Sequence, residues 1–346
     1  MKTLILGASY GSLLSTKLLM AGHDATLICR EETAKLINSE GTVVRIKLRD
    51  EDEHRSIASS DLPGHVDAAI PQSVNPSDYD LVCLAMQEPQ YSAGPVKELM
   101  ARIAEARVPC LSIMNMPPLP YLRRIDSLKS ADLDNSYDNP SVWSAFEPGL
   151  VSLCSPDPQA FRPPEEKANV LHVGLPTNFK AAVFASKEHN EMLRKLESDM
   201  AAVTLDGKDV PVKLKVFDSL FVPMAKWSML LTGNYRCVQQ NSVIPIQQAV
   251  HGDINESEKM YHWVDELARA LGADAADQVP FEKYANAAKN LMKPSSVARA
   301  IDAGSDKVER VDRLVQSVGK SLGMQSDTVD AIVATVDARL KSNQNS

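Results

Sequence analysis

Residues 2–30 read KTLILGASYGSLLSTKLLMAGHDATLICR. Residues 3–6 are a short apolar run of the kind that makes a buried strand. Residues 7–12 (Gly7, Ala8, Ser9, Tyr10, Gly11, Ser12) form a turn of mostly small residues, and residues 13–21 an apolar helix. A Gly-His-Asp turn leads into a second strand at 25–29. Strand, turn, helix and strand in this order make a βαβ unit, placed where dinucleotide-binding domains often begin. Small residues in such a turn let backbone N–H groups approach a pyrophosphate that a Cβ would hold away. The usual spacing is G-x-G-x-x-G/A, and here it is Gly7-x-Ser9-x-x-Ser12 with an additional Gly11. Gly7 is expected to make the tight turn, Ser9 to stand where the backbone meets phosphate, and Ser12 to lie at the helix–strand contact. The bland alternative is a βαβ unit that binds no nucleotide, because a fold does not fix a function.

The chain has 346 residues, enough for two domains with ample core, and 44% hydrophobic with 24% charged residues is ordinary globular composition. A net charge of −8 argues against nucleic acid or an anionic membrane surface as a partner. No 18-residue apolar run is present, so nothing is expected to span a membrane. The start runs directly into a strand with no signal-peptide pattern. The five cysteines (Cys29, Cys83, Cys110, Cys154, Cys237) are odd in number and widely spaced, and three lie in apolar runs. They read as reduced thiols, which places the protein in the cytoplasm. No Cys/His grouping has metal-ligand spacing, so no metal is expected.

Past the second strand stands Arg30, followed by Glu31 and Glu32. A basic residue at this strand end accommodates the 2′-phosphate of NADP, whereas an acidic one accepts bonds from the ribose hydroxyls of NAD. Arg30 favours NADP over NAD, unless it is a helix-start arginine paired with Glu31 or Glu32. A short helix at 33–38 and an alternating strand at 42–48 follow, then a polar stretch at 49–77 around one further short strand. Residues 79–87 (YDLVCLAMQ) are a continuous apolar run, as in a central parallel strand. Met86, Gln87 and Glu88 lie at its carboxyl end, where open α/β sheets bind ligands. A helix at 96–106 and a strand at 108–114 come next. The latter ends in Asn115, which is either in reach of a nicotinamide or a turn-making residue before Pro117 and Pro118. Strands are expected at 142–154, 167–175 and 210–216, and a helix at 188–202.

From residue 218 the pattern is almost wholly helical: a nearly continuous apolar helix at 220–231, then helices at 257–271, 283–292, 295–302, 306–322 and 327–340. The expected architecture is α/β, with an N-terminal Rossmann-type dinucleotide-binding domain over 1–215 and an all-helical C-terminal domain over 216–346. The cleft between two such domains is a preferred place for a small-molecule substrate.

Three places carry a resemblance to the ketopantoate reductase family. These are ILGASYGSLLSTKLLMAGHDATLICR at 5–30, the strand 80–87 with the Asn115 strand end, and PSSVARAIDAG at 294–304 continued by VERVD at 308–312 and Leu322-Gly323. The resemblance implies an NADPH-binding domain, a helical domain related to that of 6-phosphogluconate dehydrogenase, and hydride delivery to the carbonyl of a 2-oxo acid. It implies that a Ser-Ser pair opening a helix (Ser295, Ser296) and an acidic residue in the next helix (Glu309) bind substrate. The family's turn is one residue longer; the length of this one is closer to that of opine dehydrogenases, which reduce imines. Aligning Trp227 with the family's tryptophan puts Met229 where the family has its catalytic lysine and Gly233 where it has an asparagine one turn later. Strict spacing puts Lys307 at the acidic position, and Ala300 replaces an aspartate. These departures point away from ketopantoate itself as substrate.

The chemistry needs a cation to protonate or polarise the carbonyl oxygen as hydride arrives. Lys226, about one turn before Met229, is the first candidate, with Asn234 beside it; the blander reading of Lys226 is a surface lysine. Arg236 is suited to clamp a substrate carboxylate or, equally, to form an ordinary ion pair. Tyr235 is either a proton donor or a core tyrosine. His251 belongs to the residue type that exchanges protons near neutrality, though a lone histidine is usually structural. One of Ser295 and Ser296 is an N-cap. The reading these residues favour is an NADPH-dependent oxidoreductase reducing a small 2-oxo acid or a related imine, with a homodimer compatible with the helical half. The competing reading, from a different class, is a non-catalytic NADP(H)-binding sensor or assembly protein that lacks the Lys–Asn pair.

Overall fold

The computed structural model describes residues 1–345. The chain forms two compact units. The first comprises Met1–Met86, Gln90–Tyr121 and Ser141–Asp218; the second comprises Gln87–Pro89, Leu122–Pro140 and the chain from Ser219 onward.

The first unit is built on fourteen strands. In chain order they are β1 (Lys2–Leu6), β2 (Asp24–Ile28), β3 (Val43–Lys47), β4 (His54–Ala58), β5 (Val66–Ala69), β6 (Leu81–Leu84), β7 (Cys110–Ile113), β8 (Val151–Ser155), β9 (Gln159–Phe161), β10 (Val170–Leu175), β11 (Phe179–Ala182), β12 (Thr204–Leu205), β13 (Lys208–Asp209) and β14 (Leu214–Phe217). Eight make the main sheet, in the order β14-β11-β8-β7-β6-β1-β2-β5. From β5 to β8 all neighbours are parallel; β11 runs antiparallel to β8 and parallel to β14. The parallel stretch has the doubly wound order 3-2-1-4-5-6, and the strand order reverses between β1 and β6. Strands β1 and β6 are buried on both faces, which is why they read as unbroken apolar runs. A smaller sheet, β4-β3-β10-β9, packs against the helix Tyr10–Met20.

Several strand expectations need correction. The stretch 49–77 holds two strands, β4 and β5, not one. Of 142–154 only the end is strand; Pro140–Trp143 and Pro148–Leu150 are 3-10 turns, and prolines cannot donate to a ladder. The strand expected at 210–216 shortens to β14, because Val212 is left-handed (φ 65°). Lys17, read as part of an apolar helix, is 1% exposed and donates from Nζ to the Val210 carbonyl at 3.2 Å.

The second unit is helical, with Ile254–Ala270, Phe281–Ala288, Ser296–Asp302, Val311–Ser321 and Asp327–Gln344 as its main helices. Its core includes Val250, Tyr261, Phe281, Tyr284, Ala285 and Ala288. Asp253, Ser295 and Ser326 cap three of the helices with side-chain oxygens on the third backbone N–H. Two expectations fail here. The helix at 306–322 begins only at Val311. The continuous helix at 220–231 is instead a chain of short turns: 3-10 at Val222–Ala225, α at Lys226–Met229, π at Leu230–Asn234 and 3-10 at Tyr235–Cys237.

Candidate active site

In the first unit the turn after β1 lies at the strand-order reversal. Gly7 has φ 107°, and a Cβ there would lie 2.7 Å from Met86 Cγ and 2.8 Å from the Ala85 carbonyl oxygen. Only glycine fits both the conformation and the space. The helix–strand contact is made by Gly11, not Ser12 as the spacing suggested: a Cβ on Gly11 would lie 2.7 Å from Ile5 Cγ2. The buried Ser12 hydroxyl instead donates to the Ala8 carbonyl and braces the turn from within. Ser9 is the N-cap of the helix, is exposed, and makes no side-chain cap bond. The first-turn N–H groups and the positive end of the helix dipole therefore lie beside a turn held open by Gly7. Tyr10 is fixed away from the turn, its hydroxyl donating to the Pro158 carbonyl at 2.9 Å and its ring meeting Phe179 edge-on at 5.9 Å.

Arg30 caps the helix Glu31–Glu40 and is exposed. Among the described residues it forms no ion pair, and Glu31 pairs with Lys35 at 2.7 Å. The paired-arginine alternative is thus not realised. At the end of β7, the Asn115 side-chain oxygen is buried with no hydrogen-bond partner among the described residues. A buried acceptor left unmade costs about 1–3 kcal/mol, so such an atom is expected to meet a donor from a ligand. Met86 donates its N–H to the buried Tyr91 hydroxyl at 3.0 Å, which fixes the strand end facing Gly7. Gln87 is exposed and belongs with the second unit. A glycine-only cradle at the end of β1 and an orphaned carboxamide oxygen at the end of β7, with β6 between them, fit a nicotinamide dinucleotide.

In the second unit the π-turn decides which side chains share a face. Met229 packs on the aromatic core around Tyr261 and Tyr284. A Cβ on Gly233 would meet the Tyr284 hydroxyl at 1.9 Å and Ile246 at 3.2 Å. The two positions that alignment assigns to a lysine and an asparagine therefore both face the helical core. A π-turn carries one extra residue, so Asn234 takes the angular place of a residue seven after Lys226. At 100° per residue that puts Lys226 and Asn234 about 20° apart around the axis, two turns and roughly 10 Å along it.

Wider turns leave carbonyls without their α-helical partners, and side chains take them up here. The Tyr284 hydroxyl donates to Met229 O at 3.1 Å, Cys237 Sγ to Gly233 O at 3.2 Å, and Ser295 Oγ to Asn234 O at 2.7 Å. Ser295 also accepts the Ala298 N–H at 3.2 Å, so its hydroxyl is fully committed, whereas Ser296 is exposed. Tyr235 donates to the Glu309 carbonyl at 2.6 Å and accepts the Val311 N–H at 3.0 Å. Burial, with Asp312 and Glu309 beside it, raises its pKa far above the ordinary value, so it holds Glu309 in place as a fixed donor. Glu309 Oε1 accepts the Glu88 N–H at 3.3 Å, and the buried Glu88 accepts the Asp138 N–H at 3.1 Å. Lys307 pairs with Asp138 at 2.7 Å. The bond network thus ties Asn234, Ser295 and Glu309 together through Tyr235.

Arg236 and His251 have other engagements. Arg236 donates to Ser257 Oγ at 2.6 Å; burial lowers its pKa, against the pull of Glu256 and Asp253. His251 Nε2 lies 2.9 Å from the Ala285 carbonyl, so it carries the proton there. Tyr284 went unread in the sequence, Cys237 was read only as a reduced thiol, and Glu88 only as a strand-end residue. A Gly-Asn pair inside an apolar helix was the one local sign of the irregular turn that Tyr284 and Cys237 support.

No family model matches the sequence, and no curated protein matches it. Solved structures do. A candidate ketopantoate reductase from Ralstonia solanacearum MolK2 superposes with TM-score 0.70 at 16% identity, covering 99% of this chain and 98% of that one. D-mandelate dehydrogenase, in a ternary structure with NADH and anilino(oxo)acetate, gives 0.65 at 13% over 99% and 100%. A dimeric ketopantoate reductase from Staphylococcus aureus gives 0.64 at 10% over 99% and 100%. Among the described residues, no helix is long and apolar enough to cross a membrane. Strand order, helical second unit and full-length superposition agree: this chain has the ketopantoate reductase-like fold.

Proposed function

We propose that the protein is an NADPH-dependent reductase of a small 2-oxo acid or an imine derived from one, working in the cytoplasm. The observation that carries this reading is the Gly7 turn, whose cradle admits no Cβ and opens onto a helix N-terminus. Backbone N–H groups of Ala8, Ser9, Tyr10 and Gly11 hold the pyrophosphate. Arg30 meets the 2′-phosphate, and the Asn115 oxygen accepts from the carboxamide. A bound nicotinamide supplies the hydride. Lys226 donates a proton to the substrate oxygen or nitrogen as negative charge develops there, and Asn234 orients a second polar group of the substrate from two turns away. Glu309 and the exposed Ser296 are the remaining substrate contacts in this reading, and a homodimer is the assembly.

Thermal unfolding with NADPH and with NADH tests the cofactor, since a ligand that binds only the folded state raises the melting temperature. Loss of reduced-nicotinamide absorbance across a panel of 2-oxo acids, each with and without an amine, tests the reaction. One observation favours a non-catalytic NADP(H) sensor: Met229 and Gly233 both face the core, so the lysine–asparagine spacing of the resemblance is absent. Tight NADPH binding with no turnover of any pair would select that reading.

A further inference from the structure

The second unit carries a groove of about 660 Å³, and none of Lys226, Asn234, Ser295, Ser296 or Glu309 lines it. Its walls are the helices Val311–Ser321 and Asp327–Gln344 and the turn Asp134–Ser136, with Asp132 just before that turn. Arg313, Gln316, Ser317 and Lys320 recur three and four residues apart along the first helix, so they share the face that lines the groove. Asp330, Val333, Ala334 and Asp337 do the same along the second. A volume of this size lies in the range of small-molecule sites.

Bonds between the walls fix the shape of the groove. Arg313 donates to the Asn135 carbonyl at 3.3 Å and pairs with Asp337, and Gln316 donates to Asp330 at 2.5 Å. Asp337 also accepts from Arg310 at 2.6 Å, and the other nitrogens of Arg310 hold the fully buried Asp312 at 2.9 and 2.8 Å. Each of these links ties one wall to another or to the core beneath, so a ligand meets walls that are already ordered and the entropy lost on binding is reduced. Two charges are left over. Among the described residues the side chains of Lys320 and Asp132 form no ion pair and no hydrogen bond, with each other or with any other group. An anion on Lys320 alone would leave Asp132 uncompensated, and a cation on Asp132 alone would leave Lys320 so. Opposite charges that share a groove without meeting select a ligand that carries both signs.

We propose that this groove binds a free α-amino acid with a small apolar side chain. Lys320 takes the carboxylate, Asp132 takes the ammonium group, and Val333 and Ala334 receive the side chain. The apolar surface offered by one valine and one alanine suits a few methyl groups and not a large hydrophobic ligand. The inference is independent of the dinucleotide reading of the first unit and holds or fails without it.

Calorimetry of the full chain tests it with three probes: L-valine, isovalerate (which lacks the amine) and isobutylamine (which lacks the carboxylate). L-Valine should bind at a single site per chain, at least about tenfold more tightly than either analogue, the worth of one hydrogen bond to a charged group. Lys320 and Asp132 are exposed, so Lys320→Gln and Asp132→Asn should leave folding intact, and each should weaken L-valine by about tenfold or more. Exchanging the two charges, Lys320→Asp together with Asp132→Lys, restores both signs and should bind L-valine more tightly than either single variant. The inference is overturned if wild type shows neither heat nor a rise in melting temperature with millimolar L-valine. It is overturned equally if L-valine binds no better than isovalerate, or if neither single substitution weakens it.

Discussion

Lys17 offers a measurement in which the sign and the size both follow from the structure. Its side chain is buried at 1% exposure, with one bond to the Val210 carbonyl, and burial pushes its pKa down to about 8, with Lys213 adding repulsion and Asp209 partly offsetting it. Below pH 8 the amine is charged in both folded and unfolded chains, and the folded protein carries the full penalty. The gap between about 8 and the ordinary lysine value of 10.5 amounts to about 3 kcal/mol. Between pH 8 and 10.5 the folded state releases the proton while the unfolded state keeps it, so stability from this group rises with pH. Lys17→Met lacks the charge and hence this dependence. Its gain from removing the penalty at pH 7 is opposed by about 1–3 kcal/mol for leaving the Val210 carbonyl without a donor. The difference between variant and wild type is the sharper quantity, because every other titration is shared. It should move by about 2–3 kcal/mol in favour of wild type between pH 7 and pH 10. Urea melts of both proteins at the two pH values measure it. A difference that stays constant within about 0.5 kcal/mol would mean that Lys17 titrates normally and that its burial carries no electrostatic penalty.

Other substitutions probe the two halves of the site. Gly7→Ala forces a Cβ against Met86 and the Ala85 carbonyl at φ 107°; it should cost about 1–3 kcal/mol and abolish the rise in melting temperature with NADPH. Gly233→Ala should cost roughly 2–4 kcal/mol, because the new methyl displaces the Tyr284 hydroxyl from Met229; in a Tyr284→Phe background the same change should cost at least about 1 kcal/mol less, read from a double-mutant cycle of urea midpoints. Lys226→Ala should lower kcat by about 100-fold or more with NADPH affinity unchanged, and an unaltered rate removes Lys226 as the acid.

How much was legible depended on whether the deciding interactions were local. The first βαβ unit was, since β1, β2 and β6 are set by apolar runs that a doubly buried parallel sheet requires. The helix begins three residues earlier than read, at Tyr10, because Ser9 makes no side-chain cap bond and nothing in the sequence marks the start. The late start of the helix at Val311 was hidden for the opposite reason. Its first N–H is met by Tyr235, 76 residues away, a cap supplied by tertiary structure.

The broken helix at 222–237 shows why a strict alignment of the catalytic positions misleads. Periodicity assumes 100° per residue, and the Gly233-Asn234 pair is the one sign in this apolar stretch of where that fails. A single extra residue in a turn moves every later side chain by about 100°. Here it turns Gly233 inward, where Tyr284 fills the space a side chain would need, and brings Asn234 round to the face of Lys226. The irregular turn persists because Tyr284, Cys237 and Ser295 each take up one of its carbonyls. The site and the helical core are therefore specified by the same contacts. A substitution that restored regular α-helix would strip the Tyr284 bond from the core and carry Asn234 off its face in one step, so stability and any activity should be lost together along this segment.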